Sequence, residues 1–424
     1  MEINFAKLNH ILLPDTKAGR DRFRRGLFGK LLSPFSYLYS ALSEEGRVLF
    51  VACFVIGFFG LDIQSSEVFL LWSALAGLFV GSLAVRRFFR LTAVTVRAVA
   101  PRRVTVGEPL TFAVVVRNDG PRDHVAVRVR GPFLPWDGAW LASRPTIPVL
   151  PAGAERTVEL KARFIARGEH HLDPFTAAAL VPLGIGTSEH IESPGVKFLI
   201  VPKIASVARL ALPVARRHQP GGVALASRTG ESMDLLGVRP YRPGDPVKHL
   251  HARSWARAGH PVVREYQEEY FSRIGVIVDT TPSSERVFEA QISLAAGVVA
   301  HLSRGEALID LLVVGGELHD LTIGRHLGFL EQALDLLALA EPAKNPPSPD
   351  DLLARLAPHL HRLSSVVVIT PSRQPEIAAR IQAHGVSCKT FSVTPGTPGS
   401  TPPGGPSLTF VSAPSIERGE ALSL

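Results

Sequence analysis

The chain has 424 residues and a mass of 45.8 kDa, which is enough for about two or three domains. Its formal net charge is +8, and the excess is concentrated between residues 86 and 130, where there are ten arginines and three acidic residues. Aromatic residues do not alternate with these arginines, as a base-stacking surface would require, so no nucleic-acid partner is expected. Cys53 and Cys388 form no Cys-x-x-Cys or Cys/His pattern, which argues against a disulfide framework or a structural zinc site.

Two uncharged apolar runs predict a membrane hairpin over residues 48–85. The run 68–85 has 18 residues without a charge, near the length needed to span a bilayer, and the run 48–61 has 14. Their connector, 62–67, has no Lys or Arg, whereas arginines precede and follow the hairpin, so both flanks are expected in the cytoplasm. Residues 1–47 are then a basic cytoplasmic segment without the pattern of a cleavable signal peptide. The alternative is a pair of buried core helices.

Residues 92–200 contain several short stretches in which apolar and polar side chains alternate, a period of two that is typical of strands. The turn-forming sequence Asn118-Asp119-Gly120-Pro121 separates two of them. Short strands at this spacing predict an antiparallel β-sandwich. No candidate nucleophile stands beside a base in this region, so a structural or adaptor role is expected for the domain.

From residue 273 onward, continuous apolar strands alternate with amphipathic helices, which predicts an α/β doubly wound domain over residues 273–392. Ligands of such sheets bind at the carboxyl ends of the strands, where Asp279 and Thr370 lie. Residues 393–424 begin with a Pro/Gly-rich stretch and are predicted to form a flexible tail. Within this tail, LTFVSAP either adds an edge strand or stays unpaired.

A basic segment built around a Pro-Gly-Asp turn occupies residues 201–272. Its part from Gly237 to Arg264 resembles the signature of the domain-of-unknown-function-58 family. The resemblance covers residues 48–395 and implies a membrane hairpin, an immunoglobulin-like β domain and a von Willebrand factor A-like domain. The residues that match the signature are Arg239, Tyr241, Pro243, Gly244, Asp245, Ala256, Arg257, Val263 and Arg264.

The same resemblance implies a partner and a location. The partner would be a MoxR-type AAA+ ATPase. The chain would be a multi-pass protein of the bacterial inner (plasma) membrane, in contact with the lipid bilayer and with its soluble domains in the cytoplasm.

The resemblance also implies a metal site of the form Asp-x-Ser-x-Ser, which in this chain reads Asp279, Thr281 and Ser283. A carboxylate and two hydroxyls on one loop are oxygen ligands suited to Mg²⁺ or Ca²⁺. The second carboxylate of such sites has no counterpart here, because Thr370 is followed by Pro371. The alternative is that Asp279 and Ser283 cap the helix that follows them.

The basic segment has two interpretations. In one, its arginines form a docking surface for an acidic partner or a phosphate. In the other, Asp245 pairs with a neighbouring arginine and fixes the segment to the sheet; the candidates are Arg239, Arg242 and Arg257.

The expected function is that of a membrane-anchored, non-enzymatic adaptor or assembly factor that binds partner proteins. One alternative is a metal-dependent hydrolase in which His249 and His251 hold a zinc ion from one strand. The other alternative is a structural cell-envelope protein. The sequence has neither a Walker A loop nor the Gly-x-Ser-x-Gly elbow of a serine hydrolase.

Overall fold

The chain divides into two compact units, Met1–Ile200 and Val201–Leu424. The computed structural model describes residues 41–59, 66–141, 145–212, 223–229, 235–270, 273–305, 307–315, 318–323, 328–344, 348–371, 376–396 and 407–424. The predicted segment 1–47 and the predicted hairpin connector therefore fall largely outside the described residues.

The described part of the first unit contains two apolar helices, α1 (Glu44–Phe59) and α2 (Ser66–Val85), followed by a 3-10 helix at Arg86–Phe89. The rings of Phe50 and Phe79 pack edge to face 5.5 Å apart, so the two helices contact each other. Among the described residues, one helical stretch, Glu67–Phe89, is long and apolar enough to cross a membrane by length and composition. Helix α1 rises about 24 Å, less than the roughly 30 Å of a hydrocarbon core, so a second span stays a prediction.

The rest of the described first unit consists mainly of strands that pair antiparallel. They form sheets in the orders β1-β3-β7-β5, β10-β9-β4-β6 and β2-β11-β8. The strands are β1 (Val94–Val99), β2 (Arg103–Thr105), β3 (Pro109–Asn118), β4 (His124–Arg130), β5 (Gly138–Trp140), β6 (Thr146–Leu150), β7 (Glu155–Phe164), β8 (Gly168–Leu172), β9 (Thr176–Ala179), β10 (Ile191–Glu192) and β11 (Val196–Val201).

The core of these sheets is formed by the inward-facing alternate side chains of the strands, and a group of aromatic rings lies within it. The ring of Phe112 lies 5.2 Å from that of Phe175 and 5.6 Å from that of Phe198. At the predicted turn, buried Asn118 donates from its Nδ2 to the carbonyl oxygens of Arg122 and Leu150. A buried amide at this turn therefore joins β3 to the strand that ends at Leu150.

The second unit contains a six-stranded sheet in the order β18-β17-β16-β19-β20-β21, parallel except for β18, and a separate antiparallel sheet β13-β15-β14. Its strands are β12 (Val207–Arg209), β13 (Val223–Thr229), β14 (Leu235–Pro240), β15 (Val262–Tyr270), β16 (Arg273–Asp279), β17 (Leu308–Val314), β18 (Leu318–Ile323), β19 (Ser365–Thr370), β20 (Ser387–Thr394), β21 (Leu408–Ser412) and β22 (Leu422–Ser423). Its helices are α3 (Ala252–Ala258), α4 (Glu285–Leu302), α5 (Gly328–Leu339), α6 (Pro349–Leu360), α7 (Glu376–Ala383) and α8 (Ala413–Arg418).

The central strands of the large sheet are buried on both faces, as their continuous apolar sequences require. On one face Val276 belongs to the same apolar cluster as Leu294 of α4. On the other face Ile277 clusters with Leu356 of α6 and Ile381 of α7. Helices therefore cover both faces of the sheet.

The prediction of a flexible tail over 393–424 is wrong for residues 407–424, and the alternative of an edge strand at LTFVSAP is confirmed over residues 408–412. Strand β21 extends the sheet beside β20, and β22 pairs with β12. The apolar side chains of Val411, Ile416 and Leu424 are buried in the core of this unit. Burial of these apolar side chains offsets the conformational entropy that is lost when the segment becomes ordered. The Pro/Gly composition of the preceding stretch had suggested that the segment would not be ordered. Residues 397–406 lie outside the described part of the chain.

Candidate functional site

The carboxyl ends of two neighbouring parallel strands hold a cluster of polar side chains. Numbered along the chain, the six strands run 3-2-1-4-5-6, and the order reverses between β16 and β19, where ligands of open α/β sheets bind. Asp279 ends β16 and Thr370 ends β19. The Oδ1 of Asp279 accepts hydrogen bonds from the amide (3.0 Å) and hydroxyl (2.6 Å) of Thr281. Its Oδ2 accepts one from the hydroxyl of Thr370 at 2.8 Å.

Gln291 supports this edge from within the core. It lies on α4, fully buried, and its Nε2 donates to the backbone carbonyls of Asp279 and Ile369, the latter at 3.1 Å. Its Oε1 has no hydrogen-bond partner among the described residues. The sequence did contain a signal for this residue, because it is a polar side chain among the apolar positions of α4. The amide joins the ends of β16 and β19 and so fixes the separation of Asp279 from Thr370.

The predicted cap of α4 by Asp279 and Ser283 is wrong. The N-cap is Ser284, whose hydroxyl accepts a hydrogen bond from the amide of Val287. Asp279 is instead occupied by the hydroxyls described above, and the Ser283 hydroxyl donates to the Ser284 carbonyl at 3.5 Å. The structure thus brings Asp279 and Thr281 together with Thr370, while no hydrogen bond between described residues joins Ser283 to Asp279.

The donor set gives a limited fit to a metal ion. One carboxylate and two threonine hydroxyls are hard oxygen donors of the kind that Mg²⁺ and Ca²⁺ prefer. Both carboxylate oxygens, however, already accept hydrogen bonds from those hydroxyls. Within the described ranges no group of three or more His, Cys, Asp or Glu side chains is placed to hold a metal. An ion at Asp279 would therefore need further oxygen ligands from outside this cluster.

The Pro-Gly-Asp turn is held by an internal ion pair. The guanidinium of Arg239 donates to both oxygens of Asp245, at 2.7 and 2.9 Å, and the amide of Arg242 donates to the same carboxylate at 2.8 Å. The bond from Arg239, followed by that from the Arg242 amide, lowers the pKa of Asp245 to about 2. Gly244 has φ +104°, a conformation that favours glycine. Arg239, Gly244 and Asp245 therefore shape the turn.

Of the other motif residues, Val263 is buried, whereas several polar and aromatic side chains of the segment face solvent. Helix α3 presents Arg253 and Arg257 four residues apart, both exposed, and neither forms an ion pair or hydrogen bond with another described residue. Arg264 on β15 is exposed as well. Tyr241 and Trp255 are 36% and 42% exposed, which is high for side chains that usually bury their rings.

We call the exposed set on and beside α3 the basic motif surface. Its members are Tyr241, Arg253, Trp255, Arg257 and Arg264. Asp245 is paired with Arg239 and not with Arg257, so the second interpretation of the segment holds for Arg239 alone. Sequence reasoning had not singled out Arg253, although it stands four residues before Arg257.

The sequence had suggested that the histidines of the alternative hydrolase site lie on one strand, but the structure does not place them there. His249 ends a 3-10 helix, and His251 precedes α3 with its Nδ1 2.7 Å from the Ser254 hydroxyl. His260 follows α3, where its Nδ1 lies 2.9 Å from the Ala258 carbonyl. In the part of the chain that the structure describes, these side chains are not joined by the third ligand that a catalytic zinc requires.

No family model and no curated protein matches the chain. Among solved structures, an α-2-macroglobulin mutant from Salmonella shares 15% identity over 30% of this chain and 8% of that one, with a TM-score of 0.22. A C-terminal part of native α-2-macroglobulin from Escherichia coli shares 15% identity over 31% of this chain and 20% of that one, with a TM-score of 0.21. An exo-β-N-acetylglucosaminidase from Vibrio harveyi shares 11% identity over 69% of this chain and 60% of that one, with a TM-score of 0.18.

The chain spans less than a quarter of the two macroglobulin structures, and likenesses with such low TM-scores carry no argument about function. The chain is a multidomain protein with β-sandwich-like sheets and an apolar helix near its N-terminus.

Proposed function

We propose that the protein is a membrane-anchored, non-enzymatic adaptor that captures an acidic protein partner. The basic motif surface carries this proposal, because its two arginines on α3 are exposed and have no carboxylate partner among the described residues. Two like charges four residues apart on a helix repel each other, so the pair weakens the isolated helix slightly. Carboxylates of a partner would remove that repulsion and form forked hydrogen bonds with the guanidinium groups.

The partner is a MoxR-type AAA+ ATPase in this proposal. The support is the resemblance of the motif, together with the absence of a Walker A loop from the chain itself, so that the energy of nucleotide hydrolysis would come from another protein. Exposed Tyr241 and Trp255 add apolar contact area beside the arginines, a combination that is enriched in the energetically important parts of interfaces.

The second unit has a von Willebrand factor A-like fold in this proposal. Its support is the sheet with five parallel strands, one antiparallel edge strand and helices on both faces. The Asp279, Thr281 and Thr370 cluster lies at the edge where such sheets bind ligands. A carboxylate of the partner would supply the charge that the cluster lacks, and a Mg²⁺ or Ca²⁺ ion would bridge the two proteins.

A capture experiment tests the metal-dependent part of the function. The tagged full chain is purified from membranes with magnesium or with a chelator, and the co-purifying AAA+ ATPase is measured. We expect Asp279→Ala to abolish the magnesium-dependent capture. Asp320→Ala removes an exposed carboxylate from β18 of the same sheet and should leave capture unchanged.

Capture that is equal with magnesium, with chelator and in Asp279→Ala would rule out the metal bridge. Absence of the ATPase from every sample, in protein that remains folded, would rule out the proposed partner.

A further inference from the structure

A tight turn of the first unit carries an exposed leucine in an unusual backbone conformation. The turn runs from Val181 to Gly184 and is closed by a hydrogen bond from the Gly184 amide to the Val181 carbonyl at 2.9 Å. Its third residue, Leu183, has φ +69° and ψ 0° and is 78% exposed. Glycine ordinarily occupies this position of such a turn, because other side chains crowd the backbone in the left-handed region. The leucine side chain buries little surface within the fold, so folding alone does not account for a leucine here.

The residues that follow the turn pack into the base of the helical hairpin. Ile185 is buried in an apolar cluster that includes Cys53 of α1 and Phe79 of α2. A Cβ atom on Gly186 would lie 2.5 Å from the hydroxyl oxygen of Ser82 on α2, so the backbone of this segment approaches the helix directly. The turn is therefore positioned by neighbours that contact both helices.

Hydrogen bonds connect the same segment to both ends of the hairpin. The amide of Ser43, just before α1, donates to the Ile185 carbonyl at 2.9 Å. The Nε of Arg86, just after α2, donates to the Thr187 carbonyl at 2.7 Å. The position of the turn relative to the two helices is therefore fixed by contacts on either side of the hairpin base.

The part of α2 that contacts this segment lies within its uncharged stretch, which ends at Val85. At a rise of 1.5 Å per residue, Ser82 and Phe79 stand about 6 and about 10 Å before Arg86 along the helix axis. A bilayer that surrounds the uncharged stretch of α2 therefore extends to the level of Ile185 and its neighbours. The turn beside them then lies at the boundary between lipid headgroups and acyl chains.

A second exposed apolar side chain lies at the same end of the hairpin. Phe88 follows α2 and is 72% exposed, and the guanidinium of exposed Arg87 lies 5.2 Å from the centre of its ring. Arg90 pairs with Glu189 at 2.9 Å, which joins the chain after α2 to the chain after the turn. Aromatic rings and arginines beside the end of an apolar helix are typical of the headgroup level of a bilayer.

We infer that the turn Val181–Gly184 is a membrane-inserting loop, in which the side chain of Leu183 enters the lipid beside the hairpin. The partner is the lipid bilayer, and the contact is apolar. This inference goes beyond the adaptor function and rests on its membrane anchoring alone. The turn follows β9 closely, so burial of Leu183 in lipid holds the β-sandwich sheets of the first unit next to the membrane.

Quenching of a fluorescent label by lipid tests this contact. Leu183→Cys is introduced into the full chain, labelled with the environment-sensitive fluorophore NBD and reconstituted into phosphatidylcholine vesicles. Cys53 and Cys388 are buried, so the unmodified chain is the control for background labelling. We expect the emission to shift to shorter wavelength. We also expect most of the fluorescence to be lost when part of the lipid carries a nitroxide near the start of its acyl chain.

Two further labelled positions are the matched controls. Ile165 is 63% exposed and follows β7, whose first residue lies at the same end of its sheet as the start of β1. Since β7 extends about 30 Å from that end, a label at Ile165→Cys should not be quenched. A label at Val80→Cys, at a position of α2 that is 68% exposed, should be quenched.

The three labels together separate the loop from the anchor. Equal quenching at positions 183 and 165 would show general adsorption to lipid and would overturn the inference. Quenching at position 80 without quenching at position 183 refutes the inserting loop and leaves the membrane anchor intact. No quenching at position 80 or at position 183 refutes the anchor and the inference that rests on it.

The variant Leu183→Gly separates a lipid contact from a role in the fold itself. Glycine adopts the left-handed conformation without strain, so the full chain with this change should melt in detergent at the same temperature as the unmodified chain or higher. A clearly lower melting temperature would show that the leucine supports the fold, and this result would overturn the inference.

Discussion

At the scale of single residues, the arginines of the motif have two different roles. Arg239 is committed to Asp245 through two hydrogen bonds and shapes the turn. Arg257 is exposed on α3 and forms no such bond with a described residue. The sequence placed both in one motif, but it could not distinguish them, because the choice of Asp245 between three nearby arginines depends on the backbone path from β14 through the turn.

The ion pair of the turn makes a prediction about stability. Asp245→Asn should lower the melting temperature, since Arg239 and the Arg242 amide lose a charged acceptor. Because the folded pKa is about 2 and an unfolded Asp titrates near 3.9, the carboxylate stabilises the fold above about pH 4. The stabilisation is lost as the pH falls through the folded value.

Melting curves of both proteins between pH 2 and about pH 6 check this prediction. The difference between the unmodified chain and the variant should shrink as the pH falls below about 4. A difference in melting temperature that stays constant with pH would mean that the charge of the Asp245 carboxylate does not stabilise the fold.

At the scale of elements, the sequence predicted the alternation of strands and helices in the second unit because both signals are local. The period of α4 and the continuous apolar runs of β16 and β19 can be read directly from neighbouring residues. Strand β18 was missed, since its sequence LHDLTI is short and only half apolar, and among the described strands it pairs as an antiparallel edge to β17. The local pattern at LTFVSAP left open whether the segment pairs, and the sequence did not show that its partner is β20. The pairing of β22 depends on β12, which lies about 200 residues earlier and which no local pattern shows.

In the candidate site, too, the positions of single residues could be predicted from the sequence, whereas the contacts between them could not. Asp279 and Thr370 could be placed at the strand ends from the sequence, because the carboxyl ends of parallel strands share one edge of the sheet. The contact between them, and the role of Gln291 behind them, required the register of β16 against β19.

The cap of α4 gives a prediction at this scale. Ser284→Ala should lower the free energy of unfolding by about 1 kcal/mol, because the amide of Val287 loses its acceptor. The neighbouring change Ser283→Ala should stay within about 0.5 kcal/mol, since Ser283 does not cap the helix. Urea unfolding of both variants provides the comparison, and a larger loss in Ser283→Ala would show that the cap is misassigned.

The ordered C-terminal segment gives a further prediction. Ile416→Ala should destabilise the second unit by about 2–5 kcal/mol, because the side chain is 3% exposed and its removal leaves a cavity. Leu339→Ala, at a position that is 55% exposed on α5, should cost less than about 0.5 kcal/mol.

Hydrogen exchange of the amides in β20 and β21 measures this effect where it is expected. Exchange that is unchanged in Ile416→Ala would mean that the segment 407–424 does not stabilise the sheet.

At the scale of the whole molecule, the proposed membrane anchor depends on the topology of the helical hairpin. The sequence predicts two spans with both ends in the cytoplasm. Among the described residues, the stretch Glu67–Phe89 meets the length and composition for a span. A reporter that is active only outside the cytoplasm, fused after Leu424, should be inactive. A reporter that is active only inside the cytoplasm should be active at the same position, and the opposite pair of results would refute the hairpin.

The most direct measurement of the adaptor function is capture of the AAA+ ATPase by the full chain carrying Arg257→Lys. Lysine keeps the charge but loses the forked hydrogen bonds, so capture should fall by about tenfold while the melting temperature stays unchanged. Raising the salt concentration should weaken capture by the unmodified chain in the same direction. Unchanged capture in Arg257→Lys at low and high salt, by a protein that melts normally, would contradict the central claim that this surface binds the partner.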